Sequence, residues 1–155
     1  LVQAEIAAGI VEMMQPGQHY ALGAGTTVAA VMAALQLSNT LLGFDIVCDG
    51  RCIASDVSAA ELEQWAARVE LTVIITPTGG QGSLIGRGNQ QLSPALLHHL
   101  GRERIWVLAT RSKLSALAGR PLRLDTGDAE LDRAWSGWWS IHSGYQQQLL
   151  YAVQG

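Results

Sequence analysis

Apolar residues recur at Val2, Ile6, Ile10 and Met13 or Met14. That spacing predicts an amphipathic helix over residues 2–14, closed by Pro16-Gly17. The period then shortens. Residues 20–22 read as a buried strand and Gly23-Ala-Gly-Thr-Thr27 as a tight turn. A second helix follows to about Leu37, capped by Thr26 or Thr27. Residues 40–47 are strand-like, and Asp49-Gly50 reads as a hairpin turn into a strand over 52–54. Ser58 with Glu61 three residues on is a capping box, which predicts a helix to about Val69. Residues 71–76 form a continuous β-branched run of the kind buried on both faces of a sheet.

A long polar, glycine-rich segment follows over 77–91. Ser93-Pro94 then opens a helix ending near Gly101. Residues 105–109 predict a buried strand, 112–117 a short helix, 122–124 a strand and 128–135 a helix. Residues 138–142, a Ser143-Gly144 turn and 145–153 predict a closing antiparallel hairpin. Strands alternating with helices imply an α/β fold: three layers, a mainly parallel sheet with helices on both faces, and a C-terminal antiparallel hairpin. The 155 residues suit one domain with its own core,.

Composition narrows the function classes. Hydrophobic residues make up 48% and charged residues 15%, with a net charge of −3, so nothing marks a nucleic-acid surface,. No apolar run is long enough to span a membrane. The start has no signal-peptide pattern, and it begins with Leu rather than Met, as expected of a piece of a longer protein. Cys48 and Cys52 flank a turn without a second pair to complete a zinc site, and two unpaired thiols suit a cytoplasmic location.

Ligands of mainly parallel sheets bind beyond the carboxyl ends of strands. Five polar or glycine-rich turns fall there: Gly23 to Thr27, Asp45, Gly79 to Gln91, Thr110, and Asp125-Thr126-Gly127. Gly23, Gly25, Thr26 and Thr27 offer free N–H groups and hydroxyls at a helix start, a site for a phosphate; a plain strand-to-helix turn explains the same residues. No Walker lysine follows, and Val28 stands where a dinucleotide fingerprint needs glycine. In the long segment, Gly79, Gly80, Gly82 and Gly88 permit close backbone approach around Gln81, a further candidate ligand contact. Arg87 can fork onto a phosphate, and Asn89 and Gln90 supply donors and acceptors for a base or ribose. Asp45 and Asp125 suit hydroxyl binding, general-base work, metal ligation or turn capping, and Thr126 and Gly127 complete the last turn. Trp135, Trp138 and Trp139 read as core or interface.

Five collinear runs are similar to one family. They are Tyr20-Ala-Leu-Gly-Ala-Gly-Thr-Thr, Thr40-Leu-Leu-Gly-Phe-Asp45, Thr76-Pro-Thr-Gly-Gly-Gln-Gly82, Gly86-Arg-Gly-Asn-Gln-Gln-Leu-Ser-Pro94 and Gly119-Arg-Pro-Leu-Arg-Leu-Asp-Thr-Gly-Asp128. They resemble the C-terminal half of the ATP-NAD kinase family that includes the acetoin-catabolism X protein. The resemblance implies ATP or polyphosphate and NAD as ligands, with Mg2+ as a candidate ion. It also implies an N-terminal kinase domain of the same polypeptide carrying a Gly-Gly-Asp-Gly motif that is absent here. The expectation is a C-terminal domain inactive by itself. The helix, Pro-Gly break and strand-Gly-x-Gly-Thr-Thr-helix also resemble phosphosugar-binding domains of the ribose-5-phosphate isomerase type. That leaves a phosphometabolite-sensing module as an alternative, and a homo-oligomerisation domain as a third reading.

Overall fold

The first amphipathic stretch forms α1 (Val2–Met13), which buries Ile6, Ala7 and Ile10. The structure, a computed structural model, describes residues 1–39 and 43–155. The expected strand over 40–47, and the Thr40-Leu-Leu-Gly-Phe-Asp45 run, therefore fall partly outside the described residues. The Pro16-Gly17 break leads into β1 (His19–Leu22) and α2 (Thr26–Ala34). Then come β2 (Phe44–Cys48) and β3 (Arg51–Val57), joined at Asp49-Gly50. Both turn residues have positive φ, the requirement of a type I′ hairpin,.

Ser58 caps α3 (Ala59–Arg68) through the full reciprocal box with Glu61. The β-branched run forms β4 (Leu71–Ile75), buried along its whole length. β5 (Ser83–Ile85) follows, then α4 (Pro94–Leu100) with Ser93 as cap and Pro94 in its first turn. A 3-10 turn at Arg102–Arg104 leads into β6 (Ile105–Leu108). The chain closes with α5 (Arg111–Ser115), β7 (Leu122–Leu124), α6 (Ala129–Trp135), β8 (Gly137–Gly144) and β9 (Gln147–Gln154). Among the described residues, no helix is long and apolar enough to cross a membrane.

Among the described residues, nine strands join one sheet in the order β3-β2-β1-β4-β6-β8-β9-β7-β5. Pairing is parallel for β1/β4, β4/β6, β6/β8, β7/β9 and β5/β7, and antiparallel for the two hairpins and β1/β2. The fold is thus the expected α/β class with its C-terminal antiparallel hairpin. Alternation along the central strands supplies two cores. On one face Tyr20, Leu22, Ile74 and Leu108 pack under α1 and α2. On the other Ala21, Val73, Ile75 and Val107 meet Leu62, Leu96, Leu97 and Leu131 from α3, α4 and α6. Each fully buried Leu or Ile in these layers contributes about 1.5–3 kcal/mol of transfer free energy.

Three expectations need correcting. The segment 77–91 is not one loop, because Leu84 and Ile85 are fully buried and build β5. The C-terminal turn lies at Tyr145-Gln146 rather than Ser143-Gly144. Gln146 takes the positive φ, while Ser143 and Gly144 are buried within β8. The five turns do not share one rim by strand direction. β9, β7 and β5 run opposite to β1, β4, β6 and β8, so the turns after β5 and β7 leave from the other ends of their strands.

Candidate functional site

The first group of residues forms where β1 ends. The Gly23 N–H continues the sheet by donating to Ile74 O at 3.0 Å. A Cβ on Gly23 would lie 3.0 Å from the Phe44 ring. Gly25 has φ +116° and packs against the Thr76 methyl, where a Cβ would overlap. Gly25 itself is the N-cap of α2 and no side chain caps the helix. Thr26 and Thr27 are its first two helical residues, which overturns their expected role as cap. The N–H groups of this first turn carry the positive end of the helix dipole with no side-chain acceptor. The two hydroxyls are not idle: Gln3 Nε2 donates to Thr26 Oγ1 at 2.9 Å and to Thr27 Oγ1 at 3.1 Å. Nothing in the spacing pointed to Gln3, because only the packing of α1 beside α2 brings it across more than twenty residues.

Asp45 sits opposite Leu22 in the β1/β2 register and is 2% exposed. Its Oδ1 accepts from Asp56 N at 2.9 Å, so the carboxylate fixes the backbone of β3.

The second group grows from the extension of β4. Thr78 and Ser83 pair as a bridge, with N···O distances of 2.9 and 3.2 Å, so Gly79-Gly80-Gln81-Gly82 is the loop of a small hairpin. Gln81 Oε1 accepts from Arg120 Nη1 at 3.2 Å. After β5 the chain folds back on this hairpin. Arg87 O accepts from Thr78 Oγ1 at 3.3 Å and from Ser83 Oγ at 3.1 Å. Asn89 closes the turn: its Oδ1 accepts from Gly86 N and its Nδ2 donates to Leu84 O, both at 2.8 Å. The Asn89 amide is therefore spent on the chain itself, and the residue is buried. Arg87 differs. Its backbone is clamped, while its side chain is exposed and meets no described partner.

Asp125 joins this group through its N–H, which donates to Ile85 O at 2.8 Å. Its backbone lies so close to Gly86 that a Cβ there would overlap the Asp125 carbonyl. Thr126 Oγ1 donates to Asp132 Oδ1 and accepts from Asp128 N, so it shapes the turn into α6. Asp128 caps α6 and accepts from His98 Nε2 at 2.9 Å. The His98 bond, helped by the Leu131 N–H, holds the Asp128 carboxyl below its ordinary range. That bond places His98, on α4, beside the last of these turns.

Thr76 and Thr78 connect the groups, one touching Gly25 and the other Gly88, where a Cβ would lie 2.9 Å from Thr78 Oγ1. Two residues of extended chain span about 7 Å. The structure therefore gathers Gly25, Thr26, Thr27, Gly79, Gly80, Arg87 and Gly88 around Thr76-Pro77-Thr78, with Asp125 against Gly86. Their glycines divide. Gly23, Gly25, Gly82 and Gly88 have internal neighbours that leave no room for a side chain. Gly79, Gly80 and Gly127 face open space. Thr110, the remaining polar turn, caps α5 by accepting from Lys113 N at 3.1 Å. Among the described residues no three His, Cys, Asp or Glu side chains form a metal cage.

Fold and site together define a three-layer α/β domain in which the Gly25 and Gly88 turns meet the chain just after β4, at Thr76 and Thr78. Residues 17–153 match the family model of the ATP-NAD kinase C-terminal domain, and the chain belongs to that family. Neither a curated protein nor a solved structure matches the chain.

Proposed function

We propose that this chain is the nucleotide-binding wall of an NAD kinase-like phosphotransferase that converts NAD to NADP with ATP or polyphosphate. In this reading the catalytic Gly-Gly-Asp-Gly motif belongs to an N-terminal domain of the same cytoplasmic polypeptide. The family match over 17–153 carries the reading, since it spans the described sheet from β1 to all but the last residue of β9.

The geometry supports a phosphate-bearing ligand. The uncapped first turn of α2 supplies N–H donors, and the Thr26 and Thr27 hydroxyls, which accept from Gln3, keep their own protons to donate,. Arg87 supplies a planar, permanently charged fork held by a fixed backbone,. Gly79, Gly80 and Gly127 leave space for a ligand to lie against the main chain. Gln90 is exposed beside them and free to meet a ribose or base. Asp45 and Asn89 act from behind by holding β3 and the Gly86 turn in place. Chemically this is a binding surface; the groups that activate a ribose hydroxyl come from the other domain.

Calorimetric titration of the chain with ATP, NAD, NADP and ribose 5-phosphate tests the reading. Arg87→Ala removes one charge-assisted contact worth about 1.5–3 kcal/mol, so nucleotide affinity should fall roughly 10- to 100-fold. Gly80→Leu fills open space without backbone strain and should block the ligand while leaving the fold intact. Equal nucleotide affinity in both variants and the parent would place the ligand elsewhere. Saturable binding of ribose 5-phosphate alone would favour the phosphometabolite-sensing alternative.

A further inference from the structure

Charge is divided unevenly along the chain. Between Leu71 and Leu124 stand seven of the ten Lys and Arg and one of the thirteen acids, Glu103. Two of the seven have partners of their own at the amino end of β6. Arg102 donates to Trp138 O at 2.7 Å, and Arg104 faces Glu70 at 3.4 Å. Three others, Arg87, Arg120 and Arg123, meet at the edge of the sheet where β7 and β5 end the strand order.

The edge hairpin brings them together. Ser83 on β5 and Arg123 on β7 are register partners, so their side chains share one face,. Leu84, Leu122 and Leu124 belong to the core. Ser83 Oγ donates to Arg87 O at 3.1 Å, which sets the Arg87 main chain over the face that carries Arg123. Arg120 comes from the turn before β7. Its Nε donates to Leu117 O at 2.8 Å and its Nη1 to Gln81 Oε1 at 3.2 Å, so it is pinned beside the hairpin loop with part of its five-donor fork unbonded,. The Arg123 N–H, donating to Gly82 O at 2.9 Å, ties β7 to the same loop. All three arginines are exposed. Among the described residues none of the three guanidiniums pairs with a carboxylate. Unpaired cations held on one edge repel each other, which opposes folding and favours a bound anion.

We propose that Arg87, Arg120 and Arg123 form a binding site for an oligophosphate, a chain of two or more linked phosphates. Three features select that chemistry. Guanidinium forks match phosphate oxygens two at a time. The forks start from separate places on the hairpin: Gln81, which holds Arg120, and Ser83, which pairs with Arg123, are two residues apart, about 7 Å along extended chain. A single phosphate reaches one fork there, and a linked chain reaches two or more. The adjoining tip, Gly79-Gly80, is open, since a Cβ at either position would meet nothing. Inorganic oligophosphate and the phosphate part of a nucleotide present the same oxygens. The inference rests on the reading that sets Arg87 against a ligand phosphate, and adds Arg120 and Arg123 as the residues that select linked phosphates over one.

The test is calorimetric titration of the chain with inorganic tripolyphosphate and with inorganic phosphate. Tripolyphosphate should bind at least about 100-fold tighter, because linked groups engage separate forks at once. Arg120→Ala and Arg123→Ala should each weaken it roughly fivefold, the measure of an exposed charge contact, with unchanged far-ultraviolet circular dichroism. Arg51→Ala, exposed on β3 at the opposite edge of the sheet, should leave it unchanged. Competition sorts the source. ATP that displaces tripolyphosphate assigns the chain to a nucleotide, and ATP that does not assigns it to inorganic oligophosphate; either result supports the site. Tripolyphosphate binding that depends on Arg123, in a chain that binds no nucleotide, supports the site and overturns the nucleotide reading alone. Folded Arg120→Ala and Arg123→Ala variants that bind tripolyphosphate like the parent overturn the proposal, even where Arg87→Ala weakens ATP. So does tripolyphosphate that binds no tighter than phosphate, or an Arg51→Ala loss equal to theirs, which would make the attraction a diffuse charge effect.

Discussion

At Gly25 one missing side chain serves the strand and the helix together. The backbone turns with φ +116°, and the space where a Cβ would stand holds the Thr76 methyl. Gly25→Val should therefore combine backbone strain of about 1–3 kcal/mol with overpacking of about 1–3 kcal/mol. The expected loss, roughly 3 kcal/mol or more by urea denaturation, makes this variant a probe of folding, not of ligand contact. Gly80→Val is its counterpart, since the site is open and the backbone ordinary. It should stay within about 0.5 kcal/mol of the parent. Comparable losses in the two would mean that Thr76 yields and that Gly25 is not a packing requirement. The same contrast explains why sequence alone could not sort the glycines. A glycine that admits a neighbouring methyl and one that admits a ligand look identical until the neighbour is placed.

Elements whose signals are local were legible. The Ser58 and Glu61 pair marked the start of α3, and both reciprocal bonds form, at 2.9 and 3.1 Å. Ser58→Ala should cost about 1 kcal/mol, read as a lower urea midpoint with an unchanged slope. An unchanged midpoint would mean that tertiary packing of Leu62 and Ala66 alone holds the helix. Ser93-Pro94 and the β-branched run over 71–75 were legible for similar reasons, because cap chemistry and two-sided burial leave marks within a few residues. β5 was not, since its Leu84 and Ile85 stand among glycines and owe their burial to β7 and α4. Ser143-Gly144 carried the usual turn composition. The actual turn sits two residues on, where Gly9 lets α1 approach the Gln146 backbone. Strand polarity was out of reach as well. The reversed half of the sheet comes from β8/β9 pairing, and no local pattern encodes which neighbour a strand will choose.

For the whole molecule, the division between binding and chemistry decides what the chain can do alone. Its candidate ligand surface combines helix N–H groups, hydroxyls, exposed glycine backbone and the Arg87 guanidinium. All of these stabilise bound negative charge, and none can take a proton from a ribose hydroxyl. Asp45 is 2% exposed and engaged with Asp56 N, so it cannot reach a substrate oxygen without releasing β3. Asp125 is exposed, and its backbone is packed against the Gly86 turn. Proximity and electrostatic stabilisation contribute to phosphoryl transfer only when the nucleophile and the donor are aligned in one site. This chain, the C-terminal domain of its family, should therefore bind nucleotide without turning it over. Incubated with NAD, ATP or polyphosphate and Mg2+, it should form no NADP above the protein-free background in an NADP-specific coupled assay. Mixing in the N-terminal domain should restore formation, and Arg87→Ala should lower it mainly through KM, as a purely binding role for Arg87 requires. NADP produced by this chain alone, and lost on Asp125→Asn, would move the catalytic base into the Asp125 turn and overturn the division.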